Sequence, residues 1–193
     1  MQHFSSKHIV AFVAFTVFSF TVACDKPAPT AANPVAQSAG PTALPANLLV
    51  TEQPTGAIGV IEARTTAKTG DRVAVIGRIG GSRAPFVSSR AIFTIVDQSM
   101  KSCLETDEEE HCPRPWDYCC EDKKELAKSI ASIEISDVNG KPLALALESE
   151  GTFKPLMLIA VEGTLQSTEG GSFVVRAEHV YKVPNDPLAS KMK

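Results

Sequence analysis

Two stretches of this 193-residue chain carry the same glycine-centred pattern, Val75-Ile76-Gly77-Arg78-Ile79 and Val161-Glu162-Gly163-Thr164-Leu165. Each sits inside a run that otherwise reads as strand. A glycine within a strand gives up side-chain packing and costs stability, so it marks a bend, a bulge or a close approach of another backbone. Two long strands, each bent near its middle, are what closing a small barrel requires, because closure forces the strands to tilt and coil.

The remaining segments agree. After a Gly70-Asp71 turn, Val73, Val75 and Ile79 fall on one face, with Arg72 and Arg78 on the other. Residues 91–97 are β-branched and aromatic, and Ile133 and Ile135 alternate with Glu134 and Ser136. Asn139-Gly140 predicts a type I′ hairpin turn, with Leu143, Leu145 and Leu147 on the returning strand. Residues 156–165 and 173–183 complete the set, joined at Glu169-Gly170-Gly171, and helix is indicated only over 122–128. The fold class expected is all-β, a small barrel of five to six strands. The series GDRVAVIGRIG, FTIVDQS, LMLIAVEGTL and SFVVRAEHVYKV resembles the strands of an OB-fold, a five-stranded Greek-key barrel.

The N-terminus reads as an export signal. Lys7 precedes an apolar run from Ile9 to Val22 that ends at Ala23-Cys24, too short for a span needing roughly 20 apolar residues. Thr21-Val22-Ala23-Cys24 resembles a bacterial lipobox, which implies that Cys24 is lipidated and becomes the mature N-terminus. Lipidation of Cys24 leaves four of the five cysteines, an even number, as expected of an exported chain. The expected division is 1–23 signal, 24–55 Pro/Ala-rich linker, 56–183 barrel domain with a Cys-rich insert at 98–128, and 184–193 tail. Lys7 leaves with the signal, so 18 Lys and Arg face 22 Asp and Glu, a net charge of −4. That balance disfavours polyanions and argues against nucleic acid as a partner.

Chemistry concentrates between Cys103 and Cys120. This stretch, CLETDEEEHCPRPWDYCC, holds four cysteines, the only tryptophan and one of two tyrosines. As disulfides, Cys103 and Cys112 would each pair with Cys119 or Cys120, since bridging the adjacent pair needs a strained ring. Each bridge would contribute about 2–4 kcal/mol to pinning the loop. As a metal site, Cys103, His111, Cys112, Cys119 and Cys120 offer donors suited to Zn²⁺ or Cu(I), without the spacing of the common zinc modules. CPRPWDYCCE also resembles a CPTPWDYCCE-type motif of exported lipoproteins from planctomycete-type bacteria, with Arg114 departing from the pattern. That resemblance implies export and membrane anchoring.

Other candidates are weaker. The acidic run Glu105–Glu110 lacks the alternating oxygens and glycine of a calcium loop. Arg72, Arg78, Arg83 and Arg90, with Phe86, flank the first strand and its following loop, a region OB-folds use for ligands, while Trp116 and Tyr118 supply aromatic surface in the insert. His179 is expected to pack in the core. No nucleophile with a base partner stands out, so an enzyme is not expected. The leading expectation is an anchored envelope module binding a protein, peptide or glycan through a stapled loop, without a cofactor. The alternative is a metal or redox accessory protein using the insert.

Overall fold

The structure is a computed structural model and describes residues 43–106 and 112–191. The expected signal, Cys24, the expected linker up to residue 42, Asp107–Glu110 and His111 lie outside the described residues. Among the described residues, seven strands form one sheet: β1 (Leu49–Val50), β2 (Ile58–Gly59), β3 (Arg72–Ile79), β4 (Ile92–Val96), β5 (Ile130–Ile135), β6 (Leu158–Ser167) and β7 (Val174–Lys182). Five of them close on themselves. β3 pairs β4, β4 pairs β5, β5 runs parallel to β7, β7 pairs β6 and β6 returns to β3. This closed 3-4-5-7-6 ring is an OB-like Greek-key barrel, as expected.

Both patterned glycines stand where a strand changes partner. Along one edge, β3 pairs β2 through Val75 and Ile76, then pairs β4 through Arg78 and Ile79. A Cβ at Gly77 would stand 2.6 Å from the Val96 carbonyl oxygen, and one at Gly163 only 2.0 Å from that of Arg176. At Gly163 the β6–β7 register shifts, with Glu162 opposite His179 and Gly163 opposite Ala177, so Glu178 is the extra residue of a bulge. Beyond the bulge, β7 gives its free edge to β1 in place of β5.

The bulge corrects the expectation for His179. Strand parity places it on the face of Val175, but the extra residue reverses that parity and Val180 points inward instead. His179 is half-exposed, and its Nδ1 lies 3.1 Å from Glu162 Oε2.

The strand expected at Leu143–Leu147 is absent. Pro142 has no amide proton to donate, and only a single bridge joins Ser136 to Pro142. Nor is the turn type I′: Gly140 has positive φ but Asn139 does not, and Asp137 Oδ1 accepts the amides of Asn139 and Lys141 instead. The leucines still face inward. Leu143 ties β4 to β5 by accepting from the Ala91 amide and donating to the Ile135 carbonyl. Leu145, Leu147 and Phe153, the last stacked on Phe93, plug the core, and α3 (Leu147–Glu150) forms part of this plug.

The domain exceeds the expected 56–183 at both ends. Leu48, placed in the linker, is buried in the core, and Leu49–Val50 adds a parallel strand to β7. In the expected tail, Leu188 is buried on α4 (Pro187–Lys191), and Asp186 forms an ion pair with Arg78. An unexpected helix, α1 (Val60–Thr66), buries Val60 and Ala63. Its first turn is capped from a distance, since Asp97 Oδ2 accepts the Ile61 amide at 2.9 Å. Arg64 fastens it further, donating to the carbonyls of Ile130 and Gly171 and lying over Phe173. The expected helix near 122–128 is α2 (Lys123–Ser129), with Asp122 accepting the amides of Lys124 and Glu125. No helix among the described residues is long and apolar enough to cross a membrane.

Candidate metal centre in the cysteine insert

The insert docks on the barrel through backbone contact at a glycine pair. A Cβ at Gly80 would meet the Trp116 carbonyl at 2.6 Å and the Tyr118 ring at 2.9 Å, and the Gly81 amide donates to that same carbonyl. Any larger residue at 80 would push the insert away. Tyr118, Val96 and Leu156 form a small second core, with Met100, Leu104, Trp116, Leu126 and Ile130 packed around it. Apolar burial therefore seats the loop on the ends of β4 and β5.

Two short 3-10 turns carry the thiols into this seat. The first, Cys103–Glu105, is closed by a capping box in which the Glu105 carboxylate accepts the amide and hydroxyl of Ser102. The second, Pro115–Asp117, ends at Tyr118, whose φ of 56° is left-handed. This reversal turns the chain so that Cys119 and Cys120 come back to Cys103. A bulky residue holds that conformation only when its surroundings impose it. Here the fully buried Tyr118 ring supplies that constraint.

The result is a compact set of sulfurs. Cys103 Sγ lies 3.7 Å from Cys119 Sγ and 3.2 Å from Cys120 Sγ. Cys119 Sγ lies 3.8 Å from Cys112 Sγ and 3.9 Å from Cys120 Sγ. A disulfide is about 2.05 Å long, so none of these pairs is at bonding distance. A Zn–S bond of about 2.3 Å instead puts the sulfurs of a tetrahedral site about 3.8 Å apart. Three of the four separations match that edge, and all three involve Cys119. Donor atoms of Cys103, Cys112, Asp117 and Cys119 all lie within 4.8 Å of one another, so this donor set fits a thiophilic, four-coordinate ion.

Asp117 was not among the sequence candidates, which looked for oxygen ligands in the acidic run. The Asp-x-Cys spacing could have pointed to it: Asp117 Oδ1 accepts the Cys119 amide at 2.9 Å, an Asx turn that binds carboxylate and thiol into one unit. Its Oδ2 is 3.8 Å from Arg114 Nε, too far for a hydrogen bond, and that buried nitrogen has no hydrogen-bond partner among the described residues.

Burial, and then hydrogen bonding with Cys120, pushes the Cys103 thiol up to about 12. Hydrogen bonding with Cys103 and then Asp117 does the same for exposed Cys119. Both are protonated thiols at neutral pH, the reverse of the lowered pKa that activates a redox cysteine. Burial also raises Tyr118 well above its ordinary value, so it is a neutral phenol. Its hydroxyl is buried with no hydrogen-bond partner among the described residues.

The other sequence candidates do not gather into one face. Phe86 is in the core against Phe93, and Arg78 is partly buried and paired with Asp186. Arg72 is committed to Glu162 and Glu178 across the β3–β6–β7 surface. Arg83 and Arg90 are exposed, and the Arg83 carbonyl accepts Trp116 Nε1 at 3.4 Å. Trp116 is half-buried, and Tyr118, expected to supply aromatic surface, is instead fully buried in the second core. A cleft of about 400 Å³ lined by Ser82, Arg83, Asp117, Tyr118, Cys119 and Leu126 opens beside the cluster.

Fold and site together define a class: a small OB-like β-barrel carrying a cysteine-rich clasp between its second and third barrel strands. No family model matches the chain, and no curated protein matches it. Among solved structures, it is similar to the hypothetical protein YgiW from E. coli, at 10% identity and a TM-score of 0.34, over 67% of this chain and 94% of that one.

Proposed function

We propose that this protein is an exported, lipid-anchored metal-binding module of the cell envelope, whose barrel serves as a rigid mount for the cysteine clasp. The observation that carries this reading is the convergence of Cys103, Cys112, Cys119 and Asp117 donors within 4.8 Å, with sulfur separations close to a tetrahedral edge. Three thiolates and a carboxylate suit Zn²⁺; Cu(I) would use the thiolates and leave Asp117 aside. Anchoring rests on Ala23-Cys24 following the apolar run.

The test is elemental analysis of the full chain purified from the cell envelope, alongside its intact mass without reductant. One zinc or copper per chain, lost in Cys103→Ser, is the expected result. A second reading, a disulfide-stapled recognition loop, is favoured by one contact: Cys103 and Cys120 are the closer pair at 3.2 Å, leaving Cys112 with Cys119 at 3.8 Å. A mass lower by about four hydrogens and no bound metal would establish that reading instead. Loss of membrane association in Cys24→Ala would support the anchor, and unchanged association would remove it.

A further inference from the structure

The clasp presents more donors than a four-coordinate ion can use, and the surplus lies on its open side. Cys103 is fully buried, Cys112 is half-buried, and Cys119 and Cys120 are exposed. Cys120 falls outside the group of mutually close donors, yet its sulfur is 3.9 Å from Cys119 and 3.2 Å from Cys103. The first separation suits two ligands of one tetrahedral ion. The second is too short for Cys120 and Cys103 to share an unstrained tetrahedron while Cys103 stays where it is. Cys120 is thus poised to enter the coordination sphere only as another donor leaves.

We infer that the clasp is a transfer site, in which Cys120 is the entering ligand that moves the ion from its resting donors towards a thiol-bearing acceptor. This rests on the metal-centre reading. In the resting state Cys103, Cys112, Cys119 and Asp117 hold the ion. The Cys120 sulfur forms a bond to the metal as the bond to Asp117 or Cys112 breaks. The proton leaving the Cys120 thiol passes to the departing carboxylate or thiolate, so no electron is gained or lost. Cys119 is the pivot, because its sulfur is within 3.9 Å of the other three. The new donor set has two exposed members, which an acceptor's thiolates can replace one at a time by the same exchange. A structural zinc site is built the opposite way, closed and without a spare ligand.

The experiment loads the full-length chain with Zn²⁺ and follows transfer to the chromophoric chelator pyridylazoresorcinol, for the wild type, Cys120→Ser and Cys112→Ser. The expected result is that Cys120→Ser takes up the same zinc per chain but releases it about tenfold more slowly, within the range outer partners of a metal site exert. Cys112→Ser, having lost a resting ligand, should bind more weakly and release faster. Release from Cys120→Ser that is as fast as wild type, or faster, overturns the inference, since a spectator thiol leaves the rate unchanged and a lost resident ligand raises it. Failure of the wild-type chain to take up zinc overturns the metal-centre reading beneath it, and is thereby distinct from failure of the exchange step.

Discussion

Tyr118 is the residue on which the insert turns. Its ring is fully buried, its backbone is left-handed, and its hydroxyl is buried with no partner among the described residues. The ring secures the clasp, while the hydroxyl pays a desolvation cost that no bond recovers. Tyr118→Phe is therefore expected to leave stability unchanged or raise it by up to about 1 kcal/mol, whereas Tyr118→Ala should cost about 3–5 kcal/mol. Urea denaturation of both variants checks this, and a clear loss in Tyr118→Phe would reveal a partner for the hydroxyl. At this scale the sequence was half legible. It marked Cys103, Cys112, Cys119 and Cys120 as a functional group, but their spacing matches no common zinc module. What joins them is the reversal at Tyr118 and the close approach to Gly80, both of which depend on residues distant in the chain.

Among the elements, α1 shows how a short helix can depend on tertiary contact. Its N-cap residue is Gly59, which has no side chain to accept the first-turn amides. Asp97, thirty-six residues on from Ile61, does so instead and also accepts the Ser99 amide. Asp97→Ala should cost about 1–2 kcal/mol, the upper part of the range for caps, and hydrogen exchange should accelerate most at Ile61. Equal protection in variant and wild type would show that α1 is held by Arg64 and burial alone. A helix of seven residues, with a glycine cap and an exposed Ile61, offers little periodicity, so the sequence did not announce it. By contrast α2 carries its own cap in Asp122 and was legible. Pro142 explains the opposite error: the Asn139-Gly140 turn promised a strand, and a missing donor directly after it prevented the ladder.

For the whole molecule, pH and metal offer two separate handles. Glu162 is held below the usual carboxylate range by hydrogen bonding to Arg72 and then His179. Its folded pKa is depressed, so its stabilising contribution is present above the unfolded value of about 4.3 and is lost as pH falls through the lower folded value. Arg72 is exposed, so solvent screening keeps the effect small. Thermal melts should show a shallower acid-side decline in Glu162→Gln than in wild type, with matching slopes counting against the assignment. Under the metal-centre proposal, free zinc at about 100 times Kd should add about 2.7 kcal/mol, moving Tm by roughly 5–10 °C, and a chelator should reverse the shift. A melt indifferent to both would separate the ion from the fold.

The sequence by itself determined the barrel. The alternating strands and the two glycines at 77 and 163 are local signals, and closure follows from them because only a bent strand lets two backbones approach to the distances seen at Val96 and Arg176. Only the tertiary structure decided the rest. The one-residue bulge at Glu178 turned His179 outward, the ends at Leu48 and Leu188 joined the core, and the thiols of Cys103, Cys112 and Cys119, separated by polar chain, met Asp117 in one cluster. These outcomes depend on register and on contacts between distant segments. A period read along the chain carries neither.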